Sequence, residues 1–388
     1  MEELRRSAQE ELMNNILPFW INNMRDLEEG GFYGRIDGYN KVHPQANKGA
    51  VSCARLLWTF SAAYRLLKKP EYLAMAQRAF DYIVKYFLDS DFGGVYWELN
   101  YKGEVISDKK QGYAQGFALY AFSEFYRATG NEQALQLAKD FFFLLQNRYD
   151  RQWGGYLEAY SRNWGELDDV RLSDRDANEK KSMNTHLHIL EPFTNLCRIW
   201  KDERLYAAQR ALIDIFTKHI VNSSGHLNLF FDEQWNLKSN GISYGHDIEA
   251  SWLLYEAAET LGDPALTAEI KQLSLKIADA AAEGLQPDCS MVYERTGEHC
   301  NNDRDWWVQA EAVVGFMYAW KNSGNNIYKE RAEKTWAYIR QNLRDSENGE
   351  WHWGRKANGG INRDGDKAGF WKCPYHNGRM CMELLEHF

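Results

Sequence analysis

No stretch of the 388 residues approaches the run of about 18 uncharged apolar residues that a membrane span needs. The opening segment, Met1-Glu-Glu-Leu-Arg-Arg-Ser-Ala-Gln-Glu-Glu-Leu12, is charged, helical in pattern and without the apolar core of a signal peptide, so a cytoplasmic protein is expected. The six cysteines (Cys53, Cys197, Cys289, Cys300, Cys373, Cys381) show no C-x-x-C spacing. Reduced thiols fit better than a disulfide frame or a zinc site. There is no basic run of five or more residues and the formal charge is -9, which argues against a nucleic-acid partner. P-loop, dinucleotide fingerprint, G-x-S-x-G elbow and H-E-x-x-H are all missing.

What the chain does have is apolar and aromatic mass. Hydrophobic residues make up 44% and aromatics 14%, with 15 Trp and 22 Tyr, enough for a large core and for rings lining a cavity. Glycine-aromatic segments recur as Gly30-Gly-Phe-Tyr-Gly-Arg-Ile-Asp37, Gly93-Gly-Val-Tyr-Trp-Glu98 and Trp153-Gly-Gly-Tyr-Leu-Glu158. Weaker versions follow at Ser224-Gly-His-Leu-Asn-Leu-Phe230, Ser290-Met-Val-Tyr-Glu-Arg295 and Gly349-Glu-Trp-His-Trp-Gly354. Their spacing is roughly 60 to 70 residues, the length of two helices and their connections.

Between these segments lie paired runs with apolar residues at helical spacing. One member of each pair is apolar on most faces: 49–67, 112–128, 183–200, 245–261, 306–321 and, less regularly, 371–386. The other carries a charged stripe: 2–24, 71–88, 132–148, 203–221, 264–283 and 327–343. The first set should be inner helices and the second outer. Inner-to-outer turns are short and polar, as in Thr129-Gly-Asn131. Outer-to-inner connections are long and carry the hairpins, so they should all emerge on one face. The expected fold is all-α: an (α/α)6 barrel of six inner and six outer helices, with short β-hairpins in the long loops, as a single catalytic domain over 1–388.

The first turns of the inner helices would then surround one cavity, supplying Arg55; Tyr113; Asn184 and His188; His246 and Glu249; Trp306, Trp307 and Glu311; and Trp371 and His376. Within Tyr244-Gly-His-Asp-Ile-Glu249, His246 and Glu249 are three apart and share a helix face, so the carboxylate can hold the imidazole's tautomer and raise its pKa. His186 and His188 are two apart and point to nearly opposite sides; His188 shares a face with Asn184 and should enter the cavity, leaving His186 a structural role. Arg55, in an apolar run, needs an anionic partner: Glu249, Glu311 or a developing substrate oxyanion. Indole faces stack well on sugar rings, so Trp306, Trp307 and Trp371 at one cavity favour carbohydrate. Pro374 suits a helix first turn and would make His376 an early residue of the last inner helix. His188, His246, Glu249 and His376 could converge on a metal, but the spacing resembles no compact ligand set; no metal and no cofactor are expected. Glu249 and Glu311 are also candidates for an inverting glycosidase's carboxylate pair.

Five segments together resemble the N-acylglucosamine 2-epimerase family: Ala54-Arg-Leu-Leu-Trp-Thr-Phe60, Met183-Asn-Thr-His-Leu-His-Ile-Leu-Glu191, Tyr244-Gly-His-Asp-Ile-Glu-Ala-Ser-Trp252, Trp306-Trp-Val-Gln-Ala-Glu311 and Trp371-Lys-Cys-Pro-Tyr-His-Asn-Gly378. The resemblance covers essentially the whole chain and implies an (α/α)6 barrel. It also implies epimerisation at C2 of the reducing-end glucose of β-1,4-linked disaccharides or oligosaccharides, cellobiose to 4-O-β-D-glucosyl-D-mannose and lactose to epilactose. On the matching positions it casts His246 and His376 as the acid/base pair, Arg55 as stabiliser of an enediolate and Glu249 as support for His246. His188, Asn184 and Tyr113 would bind sugar oxygens, and Trp307 and Trp371 would stack on the sugar. A monomer without membrane or nucleic-acid contact is expected. The alternative within the family is a mannose or other aldose-ketose isomerase, or an epimerase of N-acylated glucosamine.

Overall fold

The computed structural model describes residues 1–388. In chain order, the outer helix α1 (Glu2–Glu11) continues through one π turn into α2 (Leu17–Asn23), and the inner helix α3 (Ala50–Leu67) follows. Then outer and inner alternate: α4 (Pro70–Tyr82), α5 (Gly112–Thr129), α6 (Glu132–Gln146), α7 (Met183–Ile199), α8 (Glu203–Ile215) and α9 (Tyr244–Leu261). The chain ends with α10 (Pro264–Ala281), α11 (Trp306–Ser323), α12 (Asn326–Asn342) and α13 (Tyr375–His387). Inner helices contact in the order α3, α5, α7, α9, α11, α13 and back to α3, while α4, α6, α8, α10, α12 and α1 pack outside them. This is an (α/α)6 barrel. No helix is long and apolar enough to cross a membrane.

Local chemistry explains the short turns. Lys68, Gly130, Gly262 and Gly324 close inner helices in the left-handed conformation. Asn131, Asp202, Asp263 and Asn325 then accept backbone N–H bonds at the start of the outer helices. One hydrophobic cluster runs from Leu4 to Leu384, filled by the inner helices and by the buried stripe of each outer one.

On the long-loop face, each outer helix is followed by a small hairpin closed by one bridge: Arg25 to Phe32, Leu88 to Val95, Tyr149 to Tyr156, Val221 to Leu227, Leu285 to Met291 and Arg344 to Trp351. These coincide with the six glycine-aromatic segments. The strand leading into each inner helix pairs with the hairpin of the next repeat: Lys48–Gly49 with Glu98–Leu99, Lys110–Gln111 with Ala159–Tyr160, and so on round the ring. Ala368 bridges Ile36 and closes the circle. Buried Lys–Asp pairs pin four of the six hairpins: Lys48–Asp26 at 2.6 Å, Lys110–Asp89 at 2.9 Å, Lys181–Asp150 at 2.7 Å and Lys367–Asp345 at 2.5 Å.

One boundary departs from expectation. The last inner helix begins at Tyr375, with Pro374 as its cap, rather than at 371. Trp371 therefore lies on the loop that carries the chain from Ala368 down to the helix.

Candidate active site

The inner helices share a register that fixes what each side chain faces. Three residues after Ala50, Gly112, Met183, Tyr244, Trp306 and Pro374 come Cys53, Gln115, His186, Asp247, Gln309 and Asn377. Most of these grip a hairpin. Gln115 and Gln309 each bond both the N–H and the C=O of the bridge residue, Val95 or Met291. His186 accepts from Tyr156 N–H while its Nδ1 donates to the Ser182 carbonyl, the structural role expected of it. Asp247 accepts from Leu227 N–H and pairs with His226.

Tyr113, Asn184 and Trp307 at position one of the same register and His246 and His376 at position two face a cavity of 370 Å³, within the usual range of about 300–1,000 Å³ for small-molecule sites. Arg55, Tyr113, Asn184, His188, His246, Glu249, Trp306, Trp307, Trp371 and His376 all line it. Both imidazoles pack against Trp307, with ring centres 4.9 Å (His246) and 5.6 Å (His376) from the indole. Gly245 permits this arrangement, because a Cβ there would lie 2.6 Å from the Trp307 ring. Gly116 does the same for His188: a Cβ would sit 2.2 Å from the His188 carbonyl. Trp306 packs edge-on against Trp353 at 4.4 Å and is 3% exposed, so it serves more as wall than as open platform.

Arg55 is buried, yet no carboxylate pairs with it. Its Nη2 donates to Tyr113 Oη at 2.8 Å, its guanidinium lies 4.3 Å from the Phe117 ring centre and 4.8 Å from that of Tyr375, and its Nε has no partner. Asn184 Oδ1 and Glu249 Oε2 are likewise buried and unpaired. Buried polar groups of this kind are costly unless something satisfies them, so three cavity-lining residues present an unbalanced cation and two unsatisfied oxygens.

Position five of the register lies one helical turn deeper and forms the floor. It is occupied by Arg55, Phe117, His188, Glu249, Glu311 and Arg379. Glu311 does not line the cavity, contrary to the expected substrate contact; its Oε1 accepts from His376 Nδ1 at 2.7 Å and from Arg379 Nη2 at 2.6 Å. The expected pairing of Glu249 with His246 is also absent. Glu249 Oε1 accepts from Arg379 Nη2 at 2.7 Å, and the neighbour of His246 Nδ1 is Ser243 Oγ at 2.7 Å. Three residues along a helix correspond to about 4.5 Å of rise, so a carboxylate on the same face can be buried below its histidine rather than beside it. Neither carboxylate is the partner of Arg55, which leaves the oxyanion option among the three.

Burial pushes the His246 imidazole down to about 3. Burial, followed by the guanidiniums of Arg55 and Arg379, holds His376 well below an ordinary imidazole. Both rings are thus neutral near pH 7 and able to accept a proton. Burial and neighbouring Glu311 raise Glu249 well above the usual carboxylate range, so the floor retains a proton. Ligand atoms of Glu249, Glu311 and His376 lie within 4.8 Å of one another. The Arg379 guanidinium already bonds both carboxylates and supplies the positive charge that a metal would. The same crowding is too tight for the two carboxylates of an inverting glycosidase, which need about 6.5–9.5 Å.

Glu191, Tyr375 and Arg379 went unrecognised as site residues, although counting the register through Pro374 places Arg379 level with Arg55. The loop Leu172 to Asp176, Tyr293, Asp305 and Trp353 complete the wall. Arg175, Tyr293, Asp305, Trp353 and Trp371 also line an adjoining outer cavity of 520 Å³.

Known proteins resemble the chain along its whole length. The sequence model of the N-acylglucosamine 2-epimerase (GlcNAc 2-epimerase) family matches residues 31–377. A cellobiose 2-epimerase of Bacteroides fragilis is 53% identical over 99% of both chains, and one of Dictyoglomus turgidum is 36% identical over 100% of this chain and 99% of its own. The solved cellobiose 2-epimerase of Bacillus thermoamylovorans B4167 superposes with a TM-score of 0.95 at 39% identity, covering 100% of both chains. With a match of this length and relatives aligned end to end, the chain belongs to the N-acylglucosamine 2-epimerase family.

Proposed function

We propose that the chain, as a single catalytic domain, inverts C2 of the reducing-end glucose of β-1,4-linked disaccharides, taking cellobiose to 4-O-β-D-glucosyl-D-mannose and lactose to epilactose. The observation that carries this is the pair of neutral imidazoles, His246 and His376, both packed against Trp307, with the unpaired Arg55 guanidinium lining the same cavity. The sugar ring opens to its aldehyde, which makes the C2 proton acidic. One histidine Nε2 takes that proton, and the C2–H electron pair moves into a C1=C2 bond while negative charge collects on the former carbonyl oxygen. Arg55, buried and without a competing carboxylate, stabilises that oxyanion. Rotation about C2–C3 presents the other face; the second histidine, first protonated at Nε2 by a proton relayed from water, donates that proton to C2 and is left neutral, and the carbonyl re-forms. The first histidine ends as an imidazolium and the second neutral, so loss of the abstracted proton to water restores the site.

Asn184, His188 and Tyr113 bind sugar hydroxyls, and Trp307 and Trp371 stack on the rings. The outer cavity, joined through Trp353 and Trp371, gives the second glycosyl unit room. That room favours a disaccharide over the monosaccharide substrates of the rival family activities. The test is incubation with cellobiose in deuterium oxide under chelator, with NMR of the product. A mannose-type product labelled at C2 is expected. A fructosyl product without C2 epimer would instead indicate an isomerase, and an unlabelled epimer would overturn the enediolate route. A monomer working in the cytosol is part of the same proposal, to be checked by light scattering and cell fractionation.

A further inference from the structure

Arg379 touches nothing in the cavity, yet every carboxylate behind the site converges on it. It is fully buried on α13. Nη2 bonds Glu249 Oε1 at 2.7 Å and Glu311 Oε1 at 2.6 Å, and Nη1 bonds Glu191 Oε1 and Tyr375 Oη. Two of these carboxylates stand directly behind cavity imidazoles: Glu311 at 2.7 Å from His376 Nδ1, and Glu191 at 3.1 Å from His188 Nδ1. One planar fork thus orients carboxylates from α7, α9 and α11 at once, a geometry that a lysine cannot reproduce.

We propose that Arg379 is a positioning residue for epimerisation. By fixing Glu311 and Glu191, it holds the Nδ1–H tautomers of His376 and His188, so that both rings present Nε2 to the sugar. The inference rests on the role proposed for His376. Other charged or titratable groups around the fork come from each neighbouring helix: Arg55 on α3, Tyr120 on α5, His188 on α7, and Tyr375 and His376 on α13 itself. Arg379 is the one cation bonded to the three carboxylates, so its loss leaves them in mutual repulsion. They would then take up protons and release Nδ1 of His376.

The experiment compares Arg379→Met, Arg379→Lys and Glu311→Gln with the wild type. Readouts are kcat and KM for cellobiose, the pH profile of kcat, and the tautomer of His376 from nitrogen-15 histidine NMR. Arg379→Met should lower kcat by about 100-fold or more with KM within about threefold, since the fork contacts the acid/base machinery and not the sugar. Its pH profile should move and His376 should lose its single Nδ1–H signal. Arg379→Lys should recover part of the rate, and Glu311→Gln should shift the pH profile with the arginine intact. If Arg379→Met does not fold, the other two variants carry the test. Folded variants that keep the wild-type kcat, pH profile and tautomer would overturn the proposal. A wild type that leaves cellobiose unchanged would instead defeat the functional reading, while the tautomer measurement would still decide whether Arg379 sets the His376 ring.

Discussion

The same inner helices carry two kinds of buried polar group, and they do different work. Toward the hairpins, groups are matched: a lysine to an aspartate, which at Asp89 also takes Arg162, or one glutamine to both polar atoms of a bridge residue. Toward the barrel axis they are not: three carboxylates share Arg379, Arg55 has no anion, and Asn184 and Glu249 keep unpaired oxygens. Matched groups lock a ring of hairpins each closed on itself by a single bridge. Unmatched groups sit at the cavity and on the floor beneath it. The two repeats without a Lys–Asp pin sharpen the contrast. There Asn222 and Gln286 stand where the others have aspartate, and the inner helices that follow, α9 and α11, bring His246 and Trp307 to the cavity.

Breaking the axial set should abolish chemistry and spare the fold. His246→Ala and His376→Ala should each lower kcat by about 10²–10⁴-fold, with melting temperatures close to wild type; retained turnover in both would refute the two-histidine route. Breaking the matched set should do the reverse. Lys48→Met strands Asp26 under the first hairpin and should cost about 3–5 kcal/mol of stability, measured by denaturant unfolding, with kcat unchanged at temperatures where the protein stays folded. Gln115→Ala leaves the buried Val95 N–H without its acceptor and should cost about 1–3 kcal/mol by the same measurement. The mildest perturbation is pH. Because burial depresses His246 and His376, both remain neutral as pH falls through 6.5, and the acid limb of kcat/KM should lie well below that value. Glu249, with its raised pKa, releases its proton only above the ordinary carboxylate range, which should produce the alkaline decline. An acid limb at the ordinary histidine value would show that the axial groups are solvated like the surface.

Periodicity exposed most of this architecture in advance. Five of the six inner helices begin within one residue of the sequence-based boundary, because an aromatic hairpin precedes each of them and polar turns, three of them capped by glycine, separate the paired runs. The sixth was misplaced because the segment around Trp371 is apolar like a helix, yet Pro374 and the extra loop after Ala368 delay the start. Residue types at the cavity were legible; depth was not. Sharing a helix face suggested that Glu249 supports His246, while the floor one turn below belongs to Arg379. That arginine lies in Asn377-Gly-Arg-Met380, where nothing local distinguishes it from a surface residue. Only alignment of all six starts reveals it.

The two cavity histidines occupy the same place in their repeats, the second position after Tyr244 and after Pro374, two steps apart round the ring. A planar carbon centre has two faces that a single side chain cannot serve from one direction. On the route proposed above, a rotationally repeated scaffold meets this without inventing a second kind of site: one address, copied to another azimuth, gives the opposite face an imidazole of its own.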